Sequence, residues 1–209
     1  EKQKQGSPAL RAEAKELIDA AGAKQKEAED LGMKEFMSEP LGQKAYQPCG
    51  DLWIDFNGQN QVADYRRWLD LHSAVAATEY KSSAVTFRRE VFVSNPDRVL
   101  CVRLTASQPG KLDCVVRLSS AHTNSNVTTD GNATLLLRGQ VESGGIRFES
   151  RAVLAAEGGR VTAESGGLHV AGANSLGIRL AAASNFKNYR DITADPTERC
   201  VAFAKQSAE

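Results

Sequence analysis

The chain has 209 residues, 41% hydrophobic and 25% charged, which fits one large β domain or two small ones. Lys plus Arg and Asp plus Glu both number 26, so the net charge is zero and no long-range field favours nucleic acid or an anionic membrane. No apolar run approaches the roughly 20 residues that span a bilayer, and no apolar h-region follows Glu1-Lys2-Gln3-Lys4, so the sequence reads as soluble with any export signal removed or upstream.

Ser7 and Pro8 suit an N-cap and first helical position, and Leu10, Ala14, Leu17, Ile18 and Ala21 then recur at helical spacing. The pattern predicts a short amphipathic helix ending near Gly22 and a second polar helix over 23–31. Gly32, Pro40 and Gly42 then break the periodicity before Tyr46, leaving the first 45 residues mainly helical and exposed.

From Leu52 onward short runs rich in Val, Leu, Phe and Thr alternate with Asn, Gly, Pro and Asp clusters, the pattern of successive antiparallel strands. About ten strands are expected, over 51–56, 64–70, 74–81, 85–93, 98–106, 111–119, 133–141, 146–156, 168–171 and 175–183. Turn markers include Asn95-Pro96-Asp97, Pro109-Gly110, Asp130-Gly131, Gly144-Gly145, Gly158-Gly159 and Gly166-Gly167. This supply of tight turns favours hairpins and an antiparallel β-sandwich over crossover helices. Asp195-Pro196 with Glu198 is a helix-capping sequence, and Cys200, Val201 and Ala204 give the helix behind it an apolar stripe that calls for a partner surface from further chain.

The four cysteines, Cys49, Cys101, Cys114 and Cys200, lack CxxC spacing and are too sparse for a disulfide scaffold. A hairpin is expected around 107–110. In it Leu100, Val102 and Leu104 share a face with Leu112, Cys114, Val116 and Leu118, which leaves Cys101 on the other face, not bonded to Cys114.

Chemistry is sparsely signalled. Coincidental carboxylate pairs are inevitable among 26 acids, and Asp51 and Asp55, which share a strand parity, fit a solvated or turn-stabilising role. His72, His122 and His169 are isolated, without an HxH or HExxH set, so no metal site is expected, and no GxSxG elbow marks a nucleophile. The glycines at 139–145 and 158–159 lie between strands with no helix behind them to hold a phosphate, and no cofactor is implied. Tyr46, Trp53, Phe56, Tyr65, Trp68 and Tyr80 favour core packing one by one, while an exposed subset would suit stacking on sugar rings. Asn126-Val127-Thr128 and Asn132-Ala133-Thr134 match the N-glycosylation pattern, which arises easily by chance.

Several blocks occur in a familiar order. They are Tyr46-Gln47-Pro48-Cys49-Gly50-Asp51-Leu52, Tyr65-Arg66-Arg67-Trp68-Leu69-Asp70-Leu71 and Arg89-Glu90-Val91-Phe92-Val93-Ser94, followed by 98–104, 181–186 and Asp195-Pro196. Together they resemble the N-terminal domain of family 95 glycoside hydrolases, the alpha-L-fucosidases, with its family 65-type fold. The resemblance implies a β-supersandwich over 46–190 with a helical segment over 1–45. Residues 191–209 would begin a helical linker to an (α/α)6 barrel that carries the active site and lies outside this chain.

Family members release terminal L-fucose or related sugars with inversion, using barrel residues, so no catalytic residue transfers here. The chain departs from the pattern at Cys49 and at Trp68, and the family's opening strands would precede Glu1. The resemblance also implies a secreted or periplasmic parent, with the barrel as partner and no nucleic acid or membrane. Pro48, Gly50 and Asp51 then form a structural motif, with Pro48 and Gly50 as turn formers at the entry to the sandwich. The other reading is an independent carbohydrate-binding sandwich, with contacts from Tyr46, Trp53, Tyr65 and Trp68, and Tyr80 as a further aromatic.

Overall fold

The computed structural model describes residues 8–36, 48–59, 61–141 and 145–208. The chain divides into two compact units, Glu1–Tyr46 and Gln47–Glu209.

In the first unit one helix, α1 (Pro8–Phe36), runs without a break. The expected stop at Gly22 does not occur. An interior glycine costs about 1 kcal/mol relative to alanine, too little to end a helix rich in Ala, Glu and Lys that also carries side-chain pairs at helical spacing. Lys24 Nζ meets Glu27 at 3.0 Å and Gln25 meets Glu29 at 2.9 Å.

The second unit is an antiparallel β-sandwich. Its strands are β1 (Asp51–Phe56), β2 (Ala63–Asp70), β3 (Val75–Ser82), β4 (Val85–Ser94), β5 (Val99–Ala106), β6 (Leu112–Ser119), β7 (Ser125–Asp130), β8 (Thr134–Gln140), β9 (Arg147–Glu157), β10 (Arg160–Glu164), β11 (Gly167–Ala173) and β12 (Ser175–Ser184); helix α2 (Pro196–Gln206) follows. A four-stranded sheet runs β1-β6-β11-β10 and faces an eight-stranded sheet running β2-β3-β4-β5-β12-β9-β8-β7.

Two strands escape the sequence pattern, β7 and β10, and each is an outermost strand. Their sequences, SNVTTD and RVTAE, bury little, so backbone pairing rather than apolar alternation places them.

The segment 107–111 is not a hairpin. β5 pairs with β4 and β12, β6 pairs with β1 and β11, and the chain crosses from one sheet to the other between them. The shared apolar face survives this correction, because both strands turn it to the same core. Leu104, Leu112, Cys114, Val116, Leu135, Leu137, Leu168, Val170, Leu176 and Ile178 are almost fully enclosed there. Each large aliphatic side chain buried in this way is worth about 1.5–3 kcal/mol. Cys101 lies on the other side of the larger sheet with Val99, Ala181 and Cys200, and all four cysteines are free thiols.

Gly158 and Gly159 also mark a crossing between sheets. Both have positive φ, +68° and +64°, and a Cβ on Gly159 would lie 2.6 Å from the Gly172 carbonyl carbon. Asn174 ties two crossings together: its side chain accepts from the Gly110 amide at 2.8 Å, and its own amide donates to the Glu157 carbonyl at 2.7 Å.

Candidate functional site

The most constrained polar group lies where α2 crosses the outer face of the larger sheet. On β9, Phe148, Ala152 and Leu154 face the core, which directs Glu149 and Arg151 outward. Such a face normally meets water, yet Glu149 is 1% exposed because α2 covers it. Arg138 Nε donates to its Oε2 at 2.8 Å, Thr197 Oγ1 donates to the same oxygen at 2.6 Å, and Arg151 Nε reaches Oε1 at 3.3 Å. Arg151 also meets Asp130 at 3.4 Å. Both carboxylate oxygens are thus engaged by donors, and the group positions the helix rather than offering a free acid.

The expected cap is present. Asp195 accepts from the Thr197 and Glu198 amides at 2.8 and 3.3 Å, with Pro196 at the first helical position. This chain's own sheet takes up part of the expected stripe of α2: Cys200 is fully buried there with Phe203 packed beside it and donates to the Glu149 carbonyl at 3.3 Å, while Val201 and Ala204 are only partly buried. Burial pushes the Cys200 thiol up to about 12, with the nearby Glu149 charge adding to it, so it stays protonated. Arg199 fastens the helix to the Ser184 carbonyl at 2.7 Å, and Arg179 holds its far end through the Ser207 carbonyl at 2.7 Å. Asn185, 3% exposed, organises the connecting segment by accepting from the Arg147 amide and donating to the Ile192 carbonyl, both at 2.9 Å. An open hollow of about 650 Å³ lies beside this junction, bordered by Arg138, Gln140, Arg147, Asp195 and Thr197.

The block before β1 is pinned from several directions. His122 Nε2 lies 3.0 Å from the Pro48 carbonyl, Ser120 donates to the Cys49 carbonyl at 3.1 Å, and Cys49 Sγ meets Ser150 Oγ at 3.1 Å. Gly50 is wedged under Ser119 and Leu137, and its φ is not left-handed, so close approach rather than turn geometry requires glycine there. Asp51 opens β1 opposite Ser119.

The aromatics named from the sequence are dispersed. Tyr46 lies outside the described residues. Trp53 is half exposed on the outer face of the smaller sheet, donates to Ser119 Oγ at 2.8 Å, and borders a shallow hollow of about 340 Å³ with Arg117 and Gly166. Tyr65 is exposed on β2 of the larger sheet. Trp68, on the same strand, is flanked by the Arg66 and Arg88 guanidinium groups at 5.0 and 5.6 Å from its ring. Trp53 and Trp68 belong to different sheets, so no shared platform forms. Tyr80 stacks on Phe87 at 5.6 Å beside the core.

One more polar cluster sits on the outer face of the smaller sheet. His169 Nε2 lies 3.2 Å from Asp113 and Nδ1 lies 3.1 Å from Glu164, while Asn57 donates to Asp113 at 2.8 Å. Two flanking carboxylates, Asp113 foremost, hold the imidazolium and raise the His169 pKa above its ordinary value. A raised folded-state pKa contributes stability that is fully present below the unfolded value near 6.5 and is lost as pH rises through the folded value. Urea melts of wild type and His169→Gln should therefore differ by about 0.5 kcal/mol in favour of wild type at low pH, a surface-pair magnitude, with the difference vanishing at alkaline pH. A difference that grows with pH would contradict the ion-pair reading. Among the described residues no group of three or more His, Cys, Asp or Glu is placed to hold a metal ion, and no helix is long and apolar enough to cross a membrane.

Comparison with known proteins gives a consistent relationship. The family model described as "Glycosyl hydrolase family 65, N-terminal domain" matches residues 1–189. The Arabidopsis thaliana protein "Alpha-L-fucosidase 2" is 30% identical over 94% of this chain, which corresponds to 26% of that protein. The Aspergillus niger protein "Probable alpha-fucosidase A" is 36% identical over 30% of this chain and 8% of its own length. A solved kojibiose phosphorylase-like chain from the human microbiome aligns with a TM-score of 0.49 and 11% identity, over 76% of this chain and 24% of that one. The chain thus spans about a quarter of the length of the fucosidase it matches along most of its residues.

Proposed function

This chain belongs to the glycosyl hydrolase family 65 N-terminal domains, and from that premise we propose that it is the non-catalytic sandwich of a longer glycoside hydrolase resembling the alpha-L-fucosidases. In this reading it scaffolds a helical-barrel active site carried elsewhere in a secreted or periplasmic protein. The observation that carries the proposal is the junction at α2. A buried, fully engaged Glu149 and four further hydrogen bonds fix the direction in which the chain leaves the sandwich. Rigid exit geometry is what a scaffold needs, because a displacement of about 1 Å at a remote catalytic group costs on the order of 100-fold in rate. The length of the fucosidase relative, about four times this chain's matched share, supports the same reading.

The dispersal of Trp53 and Trp68 between the two sheets makes an independent carbohydrate-binding surface the weaker alternative. Hydrolysis of a fluorogenic alpha-L-fucoside separates the possibilities. Turnover is expected from the polypeptide extended through its barrel and not from residues 1–209. Turnover by residues 1–209 alone would overturn the scaffold reading.

A further inference from the structure

On β1 and β6 the side chains of Leu52, Ile54, Cys114 and Val116 face the core, which directs Trp53, Asp55 and Arg117 to the outer face of the smaller sheet. Trp53 is 50% exposed there, yet its ring is held in one orientation, because the indole N–H donates to Ser119 Oγ at 2.8 Å on the neighbouring strand. A ring fixed in this way spares a ligand the cost of ordering it. Among the described residues no guanidinium lies over the Trp53 ring, whereas Trp68 has both Arg66 and Arg88 against it. Of the two tryptophans, Trp53 is the one with ring surface left for a ligand.

The hollow of about 340 Å³ beside Trp53 is kept open by two successive glycines. A Cβ on Gly167 would come within 2.6 Å of the Val116 carbonyl oxygen, and a Cβ on Gly166 would meet nothing within 4 Å, so neither position puts a side chain into the space. The volume falls at the small end of ligand sites, which run from about 300 to 1,000 Å³. Arg117 supplies a polar border. Its Nε donates to Asp55 Oδ2 at 2.9 Å and Nη2 donates to the same oxygen, which leaves Asp55 Oδ1 and the outer guanidinium N–H groups without a partner among the described residues. A fixed aromatic ring beside a planar set of donors and an acceptor suits a sugar, which offers an apolar C–H face and hydroxyls that both donate and accept. Charge narrows the class: Asp55 already neutralises Arg117, and Glu164 stands opposite Gly167 at the same turn, so an acidic sugar would meet carboxylates rather than a free cation. A protein partner fits poorly, since one aromatic ring among polar side chains is far less apolar area than the core of a stable interface.

We propose that Trp53, Arg117 and Asp55 form a surface subsite for a neutral sugar unit of a glycan, with the sugar's C–H face stacked on the indole and its hydroxyls bonded to the guanidinium and the carboxylate. The ligand class rests on the reading that the chain is part of a longer glycoside hydrolase. One ring contact binds weakly, too weakly for an independent module. Linked to a catalytic site it becomes effective, because a tethered second contact acts at an effective concentration on the order of millimolar.

Titration of residues 1–209 with fucosyllactose, a neutral trisaccharide, followed through the indole N–H resonances, tests the subsite. The Trp53 resonance is expected to shift saturably while that of Trp68 stays in place. Trp53→Ala should weaken binding by about tenfold or more, Trp53→Phe should retain part of the affinity, and Trp68→Ala should leave it unchanged. Trigalacturonate, an acidic trisaccharide, should bind more weakly than fucosyllactose. An unmoved Trp53 resonance in the unaltered protein overturns the proposal, as does equal affinity in Trp53→Ala, and tighter binding of trigalacturonate overturns the neutral class. Fucoside hydrolysis by the extended polypeptide reports separately on the scaffold reading: activity there with an unmoved Trp53 resonance would defeat the subsite alone.

Discussion

Glu149→Ala is expected to destabilise the sandwich by about 3–5 kcal/mol, the range for removing one partner of a buried ionic network. The side chain is 1% exposed and accepts from Arg138, Arg151 and Thr197, so its loss leaves Arg151, itself largely enclosed, with only Asp130 at 3.4 Å. The helix side loses more than charge. Thr197 sits in the first turn of α2, and without its acceptor the Cys200 contact must hold that end of the helix with the Asp195 cap alone. Denaturant unfolding measures the total effect, and amide exchange within α2 locates it, because the helix should open before the sheet. Glu149→Gln keeps an oxygen acceptor and should cost less than the alanine variant. A loss below about 1 kcal/mol for Glu149→Ala, the level of an exposed pair, would show that the junction is not held through this carboxylate.

Gly50→Val is expected to lower the melting temperature by about 5–10 °C, from roughly 2–3 kcal/mol of overpacking in a domain of this size. A Cβ at this position would press into the Ser119 carbonyl oxygen and approach Leu137 Cδ2 to 2.6 Å. Neither neighbour can yield cheaply. Ser119 is paired to Asp51 across β1 and β6, and Leu137 is 1% exposed in the core. Gly50→Ala should show most of the same loss, since the first added carbon already makes the collision, and that distinguishes steric closeness from a requirement for turn geometry. Thermal denaturation followed by circular dichroism checks both variants; an unchanged midpoint for Gly50→Ala would mean that β1 can shift away from β8 at little cost.

Most of the strands were legible because their residues alternate. On β6, Leu112, Cys114, Val116 and Leu118 declare one buried face, and the same period marks Leu176, Ile178 and Leu180 on β12. The Asp195-Pro196 start of α2 was equally plain, since capping depends on residues adjacent in sequence. α1 was misread as two helices, because Gly22 is a local signal whose small penalty the rest of the helix outweighs. β7 and β10 carried too few apolar residues to be seen.

The candidate site was less legible than the fold. Glu149 and Arg151 share the outward parity of β9, a position that sequence assigns to solvent. Their burial depends on a helix that begins 47 residues after Glu149 and returns across the sheet. The pairing of Asp113 with His169, 56 residues apart, has the same origin.

By itself the sequence determined the period of each strand, the cap of α2, the separation of Cys101 from Cys114, and the membership of a glycoside hydrolase family, all of which rest on neighbours in the chain or on ordered blocks. Only the tertiary structure decided which sheet each strand joined, that 107–111 crosses between sheets, that α2 covers Glu149, and that β1 pairs on one side only among the described residues. Strand periodicity specifies which side of a residue is buried but not which strand lies beside it, so pairing and coverage were settled by contacts between residues distant in sequence.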